Sequence, residues 1–83
     1  MKVRLLYFAA IREALGRDTE TLDTQAVTLA ELRDELIARG GPYAAALARG
    51  KAVRAALNQV MQDESATLHE GTEVALFPPV TGG

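Results

Sequence analysis

The sequence predicts a single α+β domain in which one main helix packs on one face of a mixed sheet of four to five strands. Three observations carry that expectation. The chain has 83 residues, and a chain of this length buries only ~60–65% of its unfolded surface, enough for one core and no more. A fully specified helix start lies mid-chain, between segments whose apolar residues alternate with a period of two. Finally, 48% hydrophobic residues with 24% charged ones of both signs is the balance of a folded domain and not of a disordered tail.

Residues 2–8 read as the first strand, with Val3, Leu5 and Tyr7 on one face and Leu6 and Phe8 on the other. Ala9 to Leu15 follows as a short helix that Gly16 ends in a left-handed conformation. Residues 19–24 return as a second strand, with Thr19, Thr21 and Asp23 alternating with Glu20, Leu22 and Thr24. The main helix spans 28–39. Thr28 as N-cap and Glu31 three residues on form a capping box, with Val27 placed to staple onto Leu32. Leu29, Leu32, Leu36 and Ile37 then form one apolar stripe, and Arg39-Gly40-Gly41-Pro42 stops the helix.

The alanine-rich stretch Tyr43 to Arg49 is expected to be a short helix closed by Gly50. Val53 to Leu57 and Val60 to Gln62 are strands joined by an Asn58-Gln59 turn, and Thr72 to Phe77 is the last strand, ended by Pro78-Pro79. This order is the β-grasp, ubiquitin-like pattern, although the order alone fits other folds too. The expectation is one domain over 1–83 with a flexible C-terminal tail at 78–83.

Nine Lys and Arg against eleven Asp and Glu give a formal charge of -2, which leaves no basic footprint for nucleic acid or anionic lipid. The N-terminus is too charged for a signal peptide and no apolar run approaches a membrane span, so a cytoplasmic location is expected. With no cysteine and one histidine, His69, thiolate chemistry and two-histidine metal sites are excluded, and no metal or bound cofactor is expected. An enzymatic role would borrow its chemistry from another chain.

The chemical group left is the C-terminus, Val80-Thr81-Gly82-Gly83 after Pro78-Pro79. Two prolines favour an extended course away from the sheet. Six residues reach ~20 Å at roughly 3.3 Å each, the depth of a partner's active site. Terminal glycines lack a Cβ, so the backbone passes a narrow channel and the last carbonyl stays open to a nucleophile. A frayed end or a cloning remnant also carries such a pair, and the internal Gly40-Gly41 serves only to stop a helix.

The ending Leu76-Phe77-Pro78-Pro79-Val80-Thr81-Gly82-Gly83 resembles that of the MoaD-type sulfur carriers, the small subunits of molybdopterin synthase. Tyr7-Phe8-Ala9-Ala10-Ile11-Arg12-Glu13-Ala14-Leu15-Gly16, Ala56-Leu57-Asn58-Gln59, Leu68 and Gly71-Thr72-Glu73-Val74 extend the resemblance over nearly the whole chain. Leu76 stands where an aromatic residue is common in that family, which bears on packing only. The resemblance implies a non-catalytic subunit of a heterotetramer. Gly83, led by Gly82, would be adenylated by a ubiquitin-activating-like adenylyltransferase that uses ATP, and converted to a thiocarboxylate. It would then donate sulfur to cyclic pyranopterin monophosphate inside the large subunit, forming the molybdopterin dithiolene.

The same resemblance implies large-subunit contacts at Phe8, Arg12, Met61, Phe77, Pro78, Pro79, Val80 and Thr81. Strand parity independently leaves Leu6, Phe8, Ala75 and Phe77 on the sheet face away from the main helix, an apolar patch that a partner or the short helices must cover. Met61 also fits ordinary core filling, and Arg12 a solvated helix position. His69 reads as a turn residue, Lys2 and Lys51 as surface charges, and Glu31, Asp34 and Glu35 as a cap and a polar helix face. A thiamine-pathway sulfur carrier, a ubiquitin-like protein modifier and a plain interaction domain are the competing readings.

Overall fold

The computed structural model describes residues 1–79, and the expectations for Val80, Thr81, Gly82 and Gly83 lie outside the described residues. The elements are β1 (Lys2–Tyr7), α1 (Ala9–Leu15), β2 (Thr19–Asp23), α2 (Leu29–Ile37), α3 (Gly41–Leu47), β3 (Arg54–Leu57), β4 (Val60–Gln62) and β5 (Glu73–Phe77). They form one five-stranded sheet in the order β2-β1-β5-β3-β4. β1 is antiparallel to β2 and parallel to β5, while β3 is antiparallel to both β5 and β4. The sheet is therefore mixed, and the first and last strands lie side by side in its middle.

Alternation decides which face is buried. Val3, Leu5 and Tyr7 of β1, Val74 and Leu76 of β5 and Ala55 of β3 join Leu29, Leu32 and Leu36 of α2 in one core. Ile11 of α1 and Leu47 of α3 belong to that same core. All three helices thus cover one side of the sheet, and neither short helix shields the other.

The start of α2 is the expected capping box. Thr28 Oγ1 accepts from the Glu31 N–H at 3.2 Å and Glu31 Oε1 from the Thr28 N–H at 3.2 Å. Val27 is 55% exposed, so it adds little as a staple; its N–H donates instead to Glu31 Oε1 at 2.7 Å. Asn58 and Gln59 have φ of 48° and 70°, the paired positive values of the tight hairpin turn that matches strand twist.

The main helix, expected over 28–39, spans Leu29–Ile37, and both ends of α3 differ from expectation. Pro42, expected only as a stop, lies in the first turn of α3, which begins at Gly41, where its missing N–H costs nothing. That helix ends at Leu47, before Gly50. Its last carbonyls are taken by a side chain: Arg33 of α2 donates from Nε to Leu47 O at 2.8 Å and from Nη2 to Ala48 O at 2.7 Å.

Candidate functional site

The strand register assembles the uncovered face. Leu6 pairs with Ala75, Ala75 with Ala56, and Ala56 with Met61, so these four share a row across β1, β5, β3 and β4. The next row toward the chain end pairs Phe77 with Arg54. Ala56 and Ala75 are nearly buried yet stand outside the helix-side core, forming a floor of small side chains. Above it Met61 is 58% and Phe8 42% exposed. A thioether and a phenyl ring thus face water on one side of the free domain.

Parallel pairing brings the end of β1 to the end of β5. The Phe8 N–H donates to Leu76 O at 3.1 Å, fixing Phe8 beside the strand that runs out through Phe77 to Pro78. Pro78 lines a cleft of ≈ 340 Å³ with Ala10, Ala14, Lys51 and Val53, between α1 and the segment entering β3. Ile11 of α1 and Ala46 of α3 also line that cleft, so Pro78 lies against the helix layer directly after Phe77. Of the expected contact residues, Phe8, Met61 and Phe77 fall on the uncovered face and Pro78 and Pro79 follow Phe77 in the chain.

Arg12 does not join them. It lies exposed on α1 in a shallow depression with Glu13, Gly16, Arg17 and Asp18, and among the described residues it makes no side-chain bond to Pro78 or Pro79. His69 is an exposed residue before the last strand, its carbonyl accepting from Thr72 Oγ1 at 2.6 Å. Glu31 is spent on the cap, and Glu35 accepts from Thr24 Oγ1 at 2.6 Å.

Two polar networks escaped sequence reasoning. Glu20 of β2 lies on the helix side and accepts from the Tyr7 hydroxyl at 2.9 Å, the Tyr43 hydroxyl at 2.7 Å and Arg39 Nη1 at 2.9 Å. Burial alone would push its carboxyl up, but these three donors hold it below the ordinary 4.5. Burial, reinforced by Glu20, raises both tyrosines. The second network joins Arg33 to Glu64 at 2.6 Å and Arg49 to Asp34 at 2.8 Å and to Glu64. Glu64 is likewise held low against its burial by Arg49 and Arg33. Alternation in β2 put Glu20 on the inward side with Leu22, the one available signal; nothing local marks Arg33, whose partners lie 14 to 31 residues away in sequence.

A five-stranded mixed sheet with a central parallel pair, helices on one face and a proline-led C-terminus following the last strand define a ubiquitin-like β-grasp protein. The chain belongs to the ThiS family, whose model matches residues 5–83. It is 40% identical over 81 residues to the molybdopterin synthase sulfur carrier subunit of Escherichia coli (strain K12), covering 98% of this chain and 99% of that one. Among solved structures it matches a complex of subunits 1 and 2 of molybdopterin-converting factor from Helicobacter pylori, at 28% identity and TM-score 0.68 over 100% of both chains. SAMP1 from Haloferax volcanii, 24% identical with TM-score 0.76 over 100% of both chains, shares the fold. No helix among the described residues is long and apolar enough to cross a membrane.

Proposed function

We propose that the chain is the sulfur carrier subunit of a molybdopterin synthase. Its uncovered apolar face docks on the large subunit, and Pro78-Pro79-Val80-Thr81-Gly82-Gly83 delivers the reacting group. The observation that carries this reading is an uncovered face bearing Phe8, Met61 and Phe77, the last of which leads directly into Pro78.

A free carboxylate is a poor electrophile. An adenylyltransferase converts the Gly83 carboxylate with ATP to an acyl adenylate, releasing pyrophosphate, and a sulfur nucleophile then displaces AMP to leave a thiocarboxylate. In the large subunit each thiocarboxylate gives one sulfur to cyclic pyranopterin monophosphate, two such transfers build the dithiolene, and water supplies the oxygen that returns Gly83 to a carboxylate. The carrier holds no cofactor of its own, works in the cytoplasm, and leaves the catalytic side chains to its partner. The absence of cysteine from the sequence suits that role, since no thiol competes with the terminal group for sulfur.

Deletion of Gly83 tests the reading. The truncated chain should fold and bind the large subunit yet yield no molybdopterin; normal product from it would refute the proposal. A thiol-specific tag that labels this cysteine-free protein after incubation with the activating enzyme, ATP and a sulfur source locates the sulfur directly. An isopeptide adduct through Gly83 would instead identify a protein modifier, and copurification with thiamine-pathway enzymes a carrier for that route.

A further inference from the structure

We propose that Arg54 is a specificity-determining contact of the docking face, pairing with a carboxylate that the large subunit presents beside its pocket for Phe77. The inference rests on the carrier reading above and adds to it a charge requirement on the partner.

Register sets the position. Arg54 opens β3 directly across from Phe77, two residues before Ala56 in the apolar row, so its side chain leaves the sheet on the uncovered face. It is exposed, and among the described residues it makes no side-chain hydrogen bond or ion pair. Arg17, Arg33, Arg39 and Arg49 differ, each being paired with a carboxylate.

Acidic residues do stand near Arg54 in the sheet, and their engagement elsewhere is what leaves it free. Asp63 follows Gln62, the register partner of Ala55, and so comes opposite Arg54. Its Oδ1 accepts instead from the Ser65 N–H at 2.9 Å and from the Ser65 hydroxyl. Glu64 is taken by Arg33 and Arg49. Lys51, in the cleft that Pro78 lines, adds a second cation near the end of β5.

A guanidinium at the border of an apolar patch has two effects on a partner. Its aliphatic stem extends the apolar contact beside Phe77, while its planar fork suits a carboxylate bidentately. A partner surface without an anion there would bury the cation unpaired, which is strongly unfavourable, so the residue selects among apolar-pocketed partners and does not merely add affinity. The net charge of -2 supplies no general attraction to an acidic surface, and the local cation must provide it.

The test is calorimetric titration of the full chain with the large subunit at low and high salt. Arg54→Glu should weaken the complex ~ten-fold or more at low salt, with the gap narrowing as salt rises. Its thermal midpoint should match the parent, and Arg substituted for the facing carboxylate of the large subunit should restore binding. Phe77→Asp serves as the control for the face itself. If Arg54→Glu binds like the parent while Phe77→Asp does not bind, the Arg54 proposal is overturned and the carrier reading stands. If neither change matters, the docking face is misassigned and both fall.

Discussion

The Tyr43 hydroxyl donates to Oε2 of Glu20 at 2.7 Å, tying α3 to β2 across 23 residues of sequence. The same oxygen accepts from Tyr7 of β1 at 2.9 Å, so one carboxylate oxygen on an edge strand joins the central strand to the helix layer. Arg39, 4.8 Å from the centre of the Tyr43 ring, completes the cluster at Oε1.

Replacing Glu20 with Gln keeps the shape but removes the charge that Arg39 pairs with and leaves the two hydroxyls competing for a neutral acceptor. The expected cost is about 1–3 kcal/mol in urea unfolding. Glu20→Ala should cost at least as much, because the buried Tyr7 hydroxyl then has no acceptor.

The pH dependence follows from the direction of the Glu20 shift. Its carboxyl titrates lower when folded than the ordinary 4.5, so its stabilisation is complete above that value and is lost as pH falls through the folded pKa. Urea midpoints measured downward from pH 6 should drop more steeply for the parent than for Glu20→Gln below pH 4.5. Tyr7 moves the other way. Raised by burial, it makes its contribution below pH ~10 and loses it as pH rises beyond, which Tyr7→Phe should flatten.

Arg33 serves three backbone carbonyls, Leu47 O, Ala48 O and Lys51 O, together with Glu64. Arg33→Ala should destabilise by about 1–3 kcal/mol, since the carbonyls lose the donors of a side chain that is 8% exposed while Glu64 keeps Arg49. Arg33→Lys should not restore stability, because one ammonium cannot reproduce the planar fork. Hydrogen exchange of the amides at 48–53 should rise in both variants.

At the hairpin, Gln59 holds φ of 70° without being glycine. Gln59→Gly should stabilise the fold by about 1 kcal/mol in thermal unfolding. Asn58→Gly should not, since Asn58 Oδ1 accepts from the Glu73 N–H at 3.0 Å.

Met61 is 58% exposed, so Met61→Asp should leave the thermal midpoint of the free domain nearly unchanged. Binding of the large subunit should weaken at least ~100-fold if this residue is a central anchor of the face, read by calorimetry.

What the sequence made legible were features written within a few residues: the capping box of Thr28 and Glu31, the Asn58-Gln59 turn, and the strand alternation that separates Leu5 from Leu6 and Val74 from Ala75. That alternation was enough to foresee the bare apolar face. Long-range polar partners were not legible. Glu20 looks like any charged residue of a polar strand until Tyr43 is brought onto it, and Arg33 like a solvated helix residue until the end of α3 arrives beneath it. The end of α3 was misplaced for the same reason, because its terminator is a side chain from another helix and not a nearby glycine. Arg12, which the family resemblance assigns to the large-subunit contact, lies exposed on α1.

The side-by-side placement of β1 and β5 has a consequence for how the protein is made. A chain halted anywhere before residue 73 leaves β1 without its central neighbour and β3 without any link to the rest of the sheet. Such a fragment exposes long unpaired strand edges and is fit only for degradation. The fold therefore closes only once β5 has been synthesised, because that strand alone joins the β2-β1 pair to the β3-β4 hairpin.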